Sequence, residues 1–259
     1  MFNFFKKRED NLVKDSNSTK INYEDAVDIA NYFESLTGVS FDLNTSILKN
    51  KLTTFCRHHN LYSFEELMQR SKNDGLIRQD LINALTTNET YFYREFSQIK
   101  ELLSVITSSK KSSVKILCAP CATGEEPYSI VIAILEKFPS MNVHIVGIDI
   151  NTEALKKAKK ASYTFRHVNK LPTQLLEKYF TSQKETYELK DDIKDKVTLK
   201  QANIFDDSFK DLGKFDYVFS RNMLIYFEQE TKLKAKKILE SMRIDNTTDV
   251  FLGHADLFE

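Results

Sequence analysis

Between Cys118 and Pro127 the chain sets two adjacent carboxylates, Glu125 and Glu126, in a short turn with Thr123 and Gly124. The apolar run from Val114 to Ala119 leads into this turn, and the run from Tyr128 to Leu135 continues it at helical spacing. A third acid, Asp149, ends the segment Val146-Gly147-Ile148-Asp149, 25 residues beyond Gly124. Acids at the ends of successive strands attract cations, accept hydrogen bonds from hydroxyls and repel phosphate. Each also has a purely structural reading. Thr123 and Glu126 have the spacing of a capping box, both glutamates suit a helix N-terminus, and Asp149 suits the cap of a helix beginning near Thr152.

The ligand chemistry follows from the charge of the turn. A pyrophosphate needs glycines and bare N–H groups, whereas this turn offers one glycine and two glutamates, which disfavours NAD or ATP. S-adenosylmethionine carries a sulfonium and an ammonium but no phosphate, so the acids would attract it. Asp149 lies near the offset at which an acid grips a ribose hydroxyl in nucleotide-binding folds. Cys118 and Cys121 form a Cys-x-x-Cys, but no second pair or histidine cluster completes a metal site, and no metal is expected. His58 and His59 adjoin Arg57, and His144, His167 and His254 are scattered. No nucleophile, base and acid set can be assembled from them.

These residues need a scaffold. After about residue 113, short β-rich runs alternate with helical stretches: Val114 to Ala119, Val143 to Ile150, Val197 to Ile204, Phe215 to Ser220 and Val250 to Gly253. Such alternation predicts a mostly parallel sheet covered on both faces. Thr186 to Lys190 is expected to pair antiparallel with the strand starting near Val197, inside an inserted β-subdomain at about 161–200; Leu171 to Phe180 reads as helix. From Tyr23 to about Leu85, apolar residues recur at helical spacing, among them Val27, Phe33, Ile47, Leu52, Phe64, Leu67, Leu81 and Leu85. The expected division is a mobile polar tail over 1–21, a helical domain over 22–87 and an α/β domain over 88–259.

Lys plus Arg and Asp plus Glu number 37 each, so no net charge draws the chain to nucleic acid. The opening Met1-Phe2-Asn3-Phe4-Phe5 is cut off by Lys6-Lys7-Arg8, and no window could span a bilayer. With three cysteines, an odd count, the chain reads as cytoplasmic, with no membrane insertion.

Three separated strings, Thr87-Asn88-Glu89-Thr90-Tyr91-Phe92-Tyr93-Arg94-Glu95, Ala122-Thr123-Gly124-Glu125-Glu126-Pro127-Tyr128-Ser129 and Ser220-Arg221-Asn222-Met223-Leu224-Ile225-Tyr226-Phe227, together resemble the CheR chemotaxis receptor methyltransferases. The resemblance implies a Rossmann-like S-adenosylmethionine-dependent methyltransferase sheet with an N-terminal helical domain and a small antiparallel insertion. It implies that Asn88, Thr90, Arg94, Glu126, Asp149, Asn203, Ile204, Arg221 and Asn222 line the cofactor site, and that Arg94 and Tyr226 stand closest to the chemistry. Without the resemblance, Arg94 reads as a surface arginine and Tyr226 as core. The implied reaction is methylation of glutamate side chains on the cytoplasmic helical domain of chemotaxis receptors, leaving S-adenosylhomocysteine.

Arg94 would steer the acceptor or order the pocket; Tyr226 would fix the methyl group or donate a hydrogen bond. Lys49, Lys51, Arg57, His58, His59 and Arg70 would offer a basic face to an acidic receptor helix or, as such charges more often do, form a solvated surface. The chain departs from the family's pattern twice. Gly253-His254 is followed by Ala255-Asp256 where the family often has Ser-Glu, and with the sequence stopping at Glu259 the expectation is either a missing last strand or a sheet that closes differently. Thr181 to Glu185 is short and glycine-free, which argues against docking on a receptor tail peptide. Two rivals are an amine or nucleic-acid methyltransferase, disfavoured by Ser220-Arg221-Asn222-Met223 in place of an Asn/Asp-Pro-Pro-aromatic string, and a non-catalytic scaffold.

Overall fold

The computed structural model describes residue 22 and residues 26–43 and 46–256. The expected tail over 1–21 and the end of the chain beyond Asp256 lie outside them. Four helices open the fold: α1 (Val27–Thr37), α2 (Ser46–His58), α3 (Phe64–Asn73) and α4 (Gly75–Leu85). Ser63 caps α3 by accepting from the Glu66 N–H, and Asp74 caps α4 by accepting from Leu76 and Ile77. Their shared core holds Ile29, Phe33, Leu48, Leu52, Leu67, Leu81 and Leu85. α1 ends at Gly38, whose φ is +77°; a Cβ there would sit 2.4 Å from the Phe205 ring. Only glycine lets this helix end abut the α/β part so closely.

No element is assigned above between Glu95 and the first strand, yet α5 (Phe96–Ser109) fills it. Its buried Ile99, Leu102, Leu103 and Ile106 stand at i, i+3, i+4 and i+7, a spacing sufficient to identify it. Next come β1 (Ser113–Cys118), α6 (Glu125–Lys137), β2 (Asn142–Asp149) and α7 (Thr152–Lys160). The insertion follows as β3 (Ser162–Thr164), α8 (Phe165–Val168), α9 (Thr173–Tyr179), β4 (Phe180–Gln183) and β5 (Thr186–Leu189). α10 (Asp191–Lys194) and β6 (Val197–Gln201) lead to β7 (Tyr217–Ser220), α11 (Gln229–Ser241) and β8 (Phe251–Leu252).

The main sheet runs β6-β2-β1-β7-β8 with every pairing parallel. Side chains of β1 alternate between its two faces: Val114, Ile116 and Cys118 pack with α5 and α6, and Leu117 packs with α11. One expected pairing is overturned. β5 pairs with β3 and β4 in a separate antiparallel sheet, not with the strand at Val197, which joins the main sheet beside β2. The two-residue turn Lys184-Glu185, with Lys184 at φ +55°, joins β4 directly to β5 and fixes that register.

Candidate active site

The parallel sheet puts the carboxyl ends of β1, β2, β6 and β7 on one edge, with β1 between strands reached in opposite directions. The turn after β1 folds onto its neighbour: Cys121 N–H donates to the Ile148 carbonyl at 2.7 Å. Gly124 has φ +95°, and a Cβ there would lie 2.8 Å from the Tyr128 ring and 3.1 Å from Ala158 Cβ. The helix thus begins hard against α7.

Asp149 ties this turn to the second strand. Its Oδ2 accepts from Ala122 N–H at 2.9 Å and its Oδ1 from Asn151 N–H at 2.8 Å. Burial pushes its carboxyl up to about 6 against the pull of these amides. Glu125 and Glu126 do stand in the first turn of α6, where acids suit the helix N-terminus, but the two capping readings fail. Asn151, not Asp149, caps α7, accepting from Ala154 N–H at 2.8 Å. No capping box forms on α6: Thr123 donates to Glu125 Oε2 at 2.6 Å, and Glu126 turns to Arg221.

The Glu126–Arg221 pair closes at 2.5 Å, with side chains 8% and 3% exposed. Arg221 also donates to the Arg94 carbonyl at 2.9 Å, so one side chain joins all three sequence motifs. Burial raises the Glu126 carboxyl and Arg221 pulls it back. Glu126 Oε1 is buried without a hydrogen-bond partner among the described residues. Such an acceptor is costly unless a donor meets it. Arg94 sits between two residues in the left-handed region, Tyr93 at φ +59° and Glu95 at +46°. Its guanidinium donates to the Glu89 carbonyl at 2.8 Å.

Two adjoining cavities open along this edge. The larger, about 360 Å³, includes Asp149, Asn203 and Ile204 in its lining; the smaller, about 140 Å³, includes Thr90, Arg94, Glu126 and Arg221. Asn88, Asn222 and Tyr226 line both. All ten residues singled out by sequence therefore meet at one cleft. Tyr226 is 36% exposed at the junction, not core, and Arg94 lines the cleft rather than open surface. Asn203 is a special case, because its amide already donates to the Leu36 carbonyl at 2.7 Å and accepts from Phe205 N–H at 3.0 Å.

The sequence reading places nothing from the first four helices or their connections in the site, yet Val39 and Phe41, between α1 and α2, and Ile47 and Lys51, in α2, line the larger cavity. Ser40 N–H donates to the Tyr226 carbonyl at 2.8 Å, pinning this wall. Ile47, read as helix core, is 62% exposed, an apolar residue left over from packing. Lys51 does not join an outward basic face: its ammonium donates to the Leu85 carbonyl at 3.1 Å, and burial lowers its pKa. Cys118 and Cys121 are free and wholly buried, with burial pushing both thiols well up. They pack.

The larger cavity is faced mainly by apolar side chains with the Asp149 carboxylate among them, and the smaller is faced by Arg94, Glu126 and Arg221. No helix among the described residues is long and apolar enough to cross a membrane, and no group of three His, Cys, Asp or Glu among them could hold a metal. Residues 88–259 match the family "CheR methyltransferase, SAM binding domain". The chain is 33% identical over 223 residues to a chemotaxis protein methyltransferase of Campylobacter jejuni, covering 86% of this chain and 84% of that one. It is 32% identical over 240 residues to chemotaxis protein methyltransferase 2 of Vibrio cholerae, covering 87% and 82%. The match and the relatives agree: the chain belongs to the CheR methyltransferase family, and its cofactor is S-adenosylmethionine.

Proposed function

We propose that the protein methylates glutamate side chains on the cytoplasmic helical domain of chemotaxis receptors, giving methyl esters and S-adenosylhomocysteine, and that it works in the cytoplasm. The observation that carries this reading is the meeting of three distant motifs at two cavities that share Asn88, Asn222 and Tyr226. The names of its relatives support the chemotactic acceptor.

In this reading the larger cavity holds the adenosine. Asp149 accepts from the ribose hydroxyls with the lone pairs its two backbone donors leave over, and Ile204 packs on the base. Asn203, its side chain engaged with α1, contributes backbone and a fixed wall. In the smaller cavity Glu126 Oε1 accepts from the ammonium, Arg221 offsets part of the upward push of burial on Glu126, and Asn88, Thr90 and Asn222 supply further hydrogen bonds. When bound, S-adenosylmethionine supplies an electrophilic methyl group on a sulfonium.

The acceptor needs no strong base, because a glutamate with a pKa of about 4.3 is ionised at neutral pH. What it needs is positioning and loss of water. Arg94, which lines the smaller cavity and keeps N–H groups beyond the one given to the Glu89 carbonyl, receives the acceptor carboxylate; Tyr226 bounds the space at the junction. Replacing Arg94 with Ala is expected to cut transfer to receptor fragments by a factor of about 100 or more while S-adenosylhomocysteine binding changes by less than about tenfold. Transfer at the wild-type rate would remove Arg94 from this role.

A further inference from the structure

One buried carboxylate near the end of the described chain has no part in the account so far. Asp256 is fully buried, in the short 3-10 turn that follows β8. Its Oδ2 accepts from the N–H of Asn222 and from Gly253 N–H at 3.2 Å, and its Oδ1 accepts from Ile225 N–H at 3.0 Å. Two of these three donors belong to the turn between Arg221 and Tyr226. That turn is otherwise unsupported by helix or sheet until Leu224, and Asn222 holds the left-handed φ of +57°, a conformation non-glycine residues seldom adopt.

The close approach is built in. A Cβ at Gly253 would lie 2.8 Å from Asp256 Oδ2 and 2.9 Å from Asn222 N, so glycine alone lets the two segments meet. The same stretch grips the opposite wall of the cleft. His254 N–H donates to Glu95 Oε2 at 3.1 Å, and Glu95 directly follows Arg94. Gln98 donates to the Leu252 carbonyl. One short segment after β8 thus holds both the strand-end turn that carries Arg221, Asn222 and Tyr226 and the segment that carries Arg94.

We propose that Asp256 is a positioning residue for methyl transfer: by accepting from Asn222 and Ile225 it holds Arg221 on Glu126 and sets Asn222 and Tyr226 at the junction of the two cavities. It touches no reactant. The inference rests on the reading that this turn walls the cofactor site. An ionised carboxylate is the side chain suited to the place, since it presents only acceptors to three converging N–H groups, whereas an amide would turn donors toward one of them. Here the acid is an aspartate where the family pattern often has glutamate, one carbon longer.

The test uses the full chain with Asp256→Asn, Asp256→Glu and Gly253→Ala. Calorimetric titration with S-adenosylhomocysteine is corrected for the folded fraction by circular dichroism, and transfer to receptor fragments is measured alongside. Asp256→Asn is expected to weaken binding by about tenfold or more and to lower kcat, about 1.4 kcal/mol per decade. Asp256→Glu, which keeps the acceptor, should recover most of that loss. Gly253→Ala, which pushes the carboxylate from Asn222, should weaken binding in the same direction and carries the test if Asp256→Asn does not fold. A purely structural role would lower the melting temperature and leave the Kd and kcat of the folded fraction at wild-type values; that result overturns the inference. Wild-type protein that binds no S-adenosylhomocysteine would overturn the cofactor-site reading, and this inference with it.

Discussion

The two cavities share a wall but are made of different materials. The larger lies between the helical part and the sheet and is faced by Val39, Phe41, Ile47, Ile148 and Ile204, with the Asp149 carboxylate at its sheet side. The smaller is less than half its size and is faced by Arg94, Glu126 and Arg221. Apolar contact tolerates small changes of shape, because each lost methylene costs about 1 kcal/mol. A buried ion pair is far less forgiving, because removing one partner strands the other charge in a medium that solvates it poorly. The larger cavity should therefore set affinity by increments, and the smaller should decide whether the site works.

The sharpest way to break this contrast is at Arg221. Arg221→Ala leaves Glu126 buried without its partner and should destabilise the fold by about 3–5 kcal/mol in chemical denaturation. The double replacement Arg221→Met with Glu126→Leu removes both charges, and should recover most of that stability while leaving no measurable binding of S-adenosylhomocysteine. Recovery of binding along with stability would show that the pair serves the fold and not the ligand.

Asp149, the carboxylate on the sheet side of the larger cavity, should behave differently from its apolar wall. Asp149→Asn is expected to weaken S-adenosylhomocysteine binding by about 10- to 100-fold, the range for losing a charged acceptor of roughly 1.5–3 kcal/mol. Its pH dependence has a definite sign. Burial raises Asp149 to about 6 and Glu125 to about 7, so the folded chain holds these protons more tightly than the unfolded one. Their contribution to stability is present at low pH and is lost as pH rises through the window from the ordinary carboxylate range to about 6 and about 7. Ligand binding needs Asp149 ionised. Between pH 5 and 7 these two acids should therefore lower the unliganded melting temperature while affinity rises, and Asp149→Asn should flatten the affinity profile. At the bottom of the scale, Ile204→Val trims the carbon wall and should raise the Kd by about two- to tenfold with kcat unchanged.

Much of the cleft is legible in the chain because it is local. Residue type and spacing point to Glu126 and Asp149, whereas Arg94 and Tyr226, which read alone as surface and core, are found only through the resemblance of the strings that carry them. Strand and helix alternation reports the sheet for the same reason. What escapes is contact between distant segments. The Ser40–Tyr226 hydrogen bond joins residues 186 apart, and periodicity says that a face is buried without saying against what. Ile47 thus reads as core when it is cavity wall. β5 reads as a partner for the strand at Val197, because an alternating strand fits any edge until the Lys184-Glu185 turn is considered. Asp256 escapes for a third reason, since a carboxylate aimed at backbone N–H groups leaves no side-chain pattern at its other end.

The central claim is that this cleft esterifies carboxylates. The direct test is to incubate the protein with methyl-labelled S-adenosylmethionine and receptor cytoplasmic fragments, then treat the labelled product with mild alkali. The account predicts label released as methanol, and less of it by a factor of about 100 or more with Arg94→Ala. Label that survives alkali would mean a methylated amine and would contradict it.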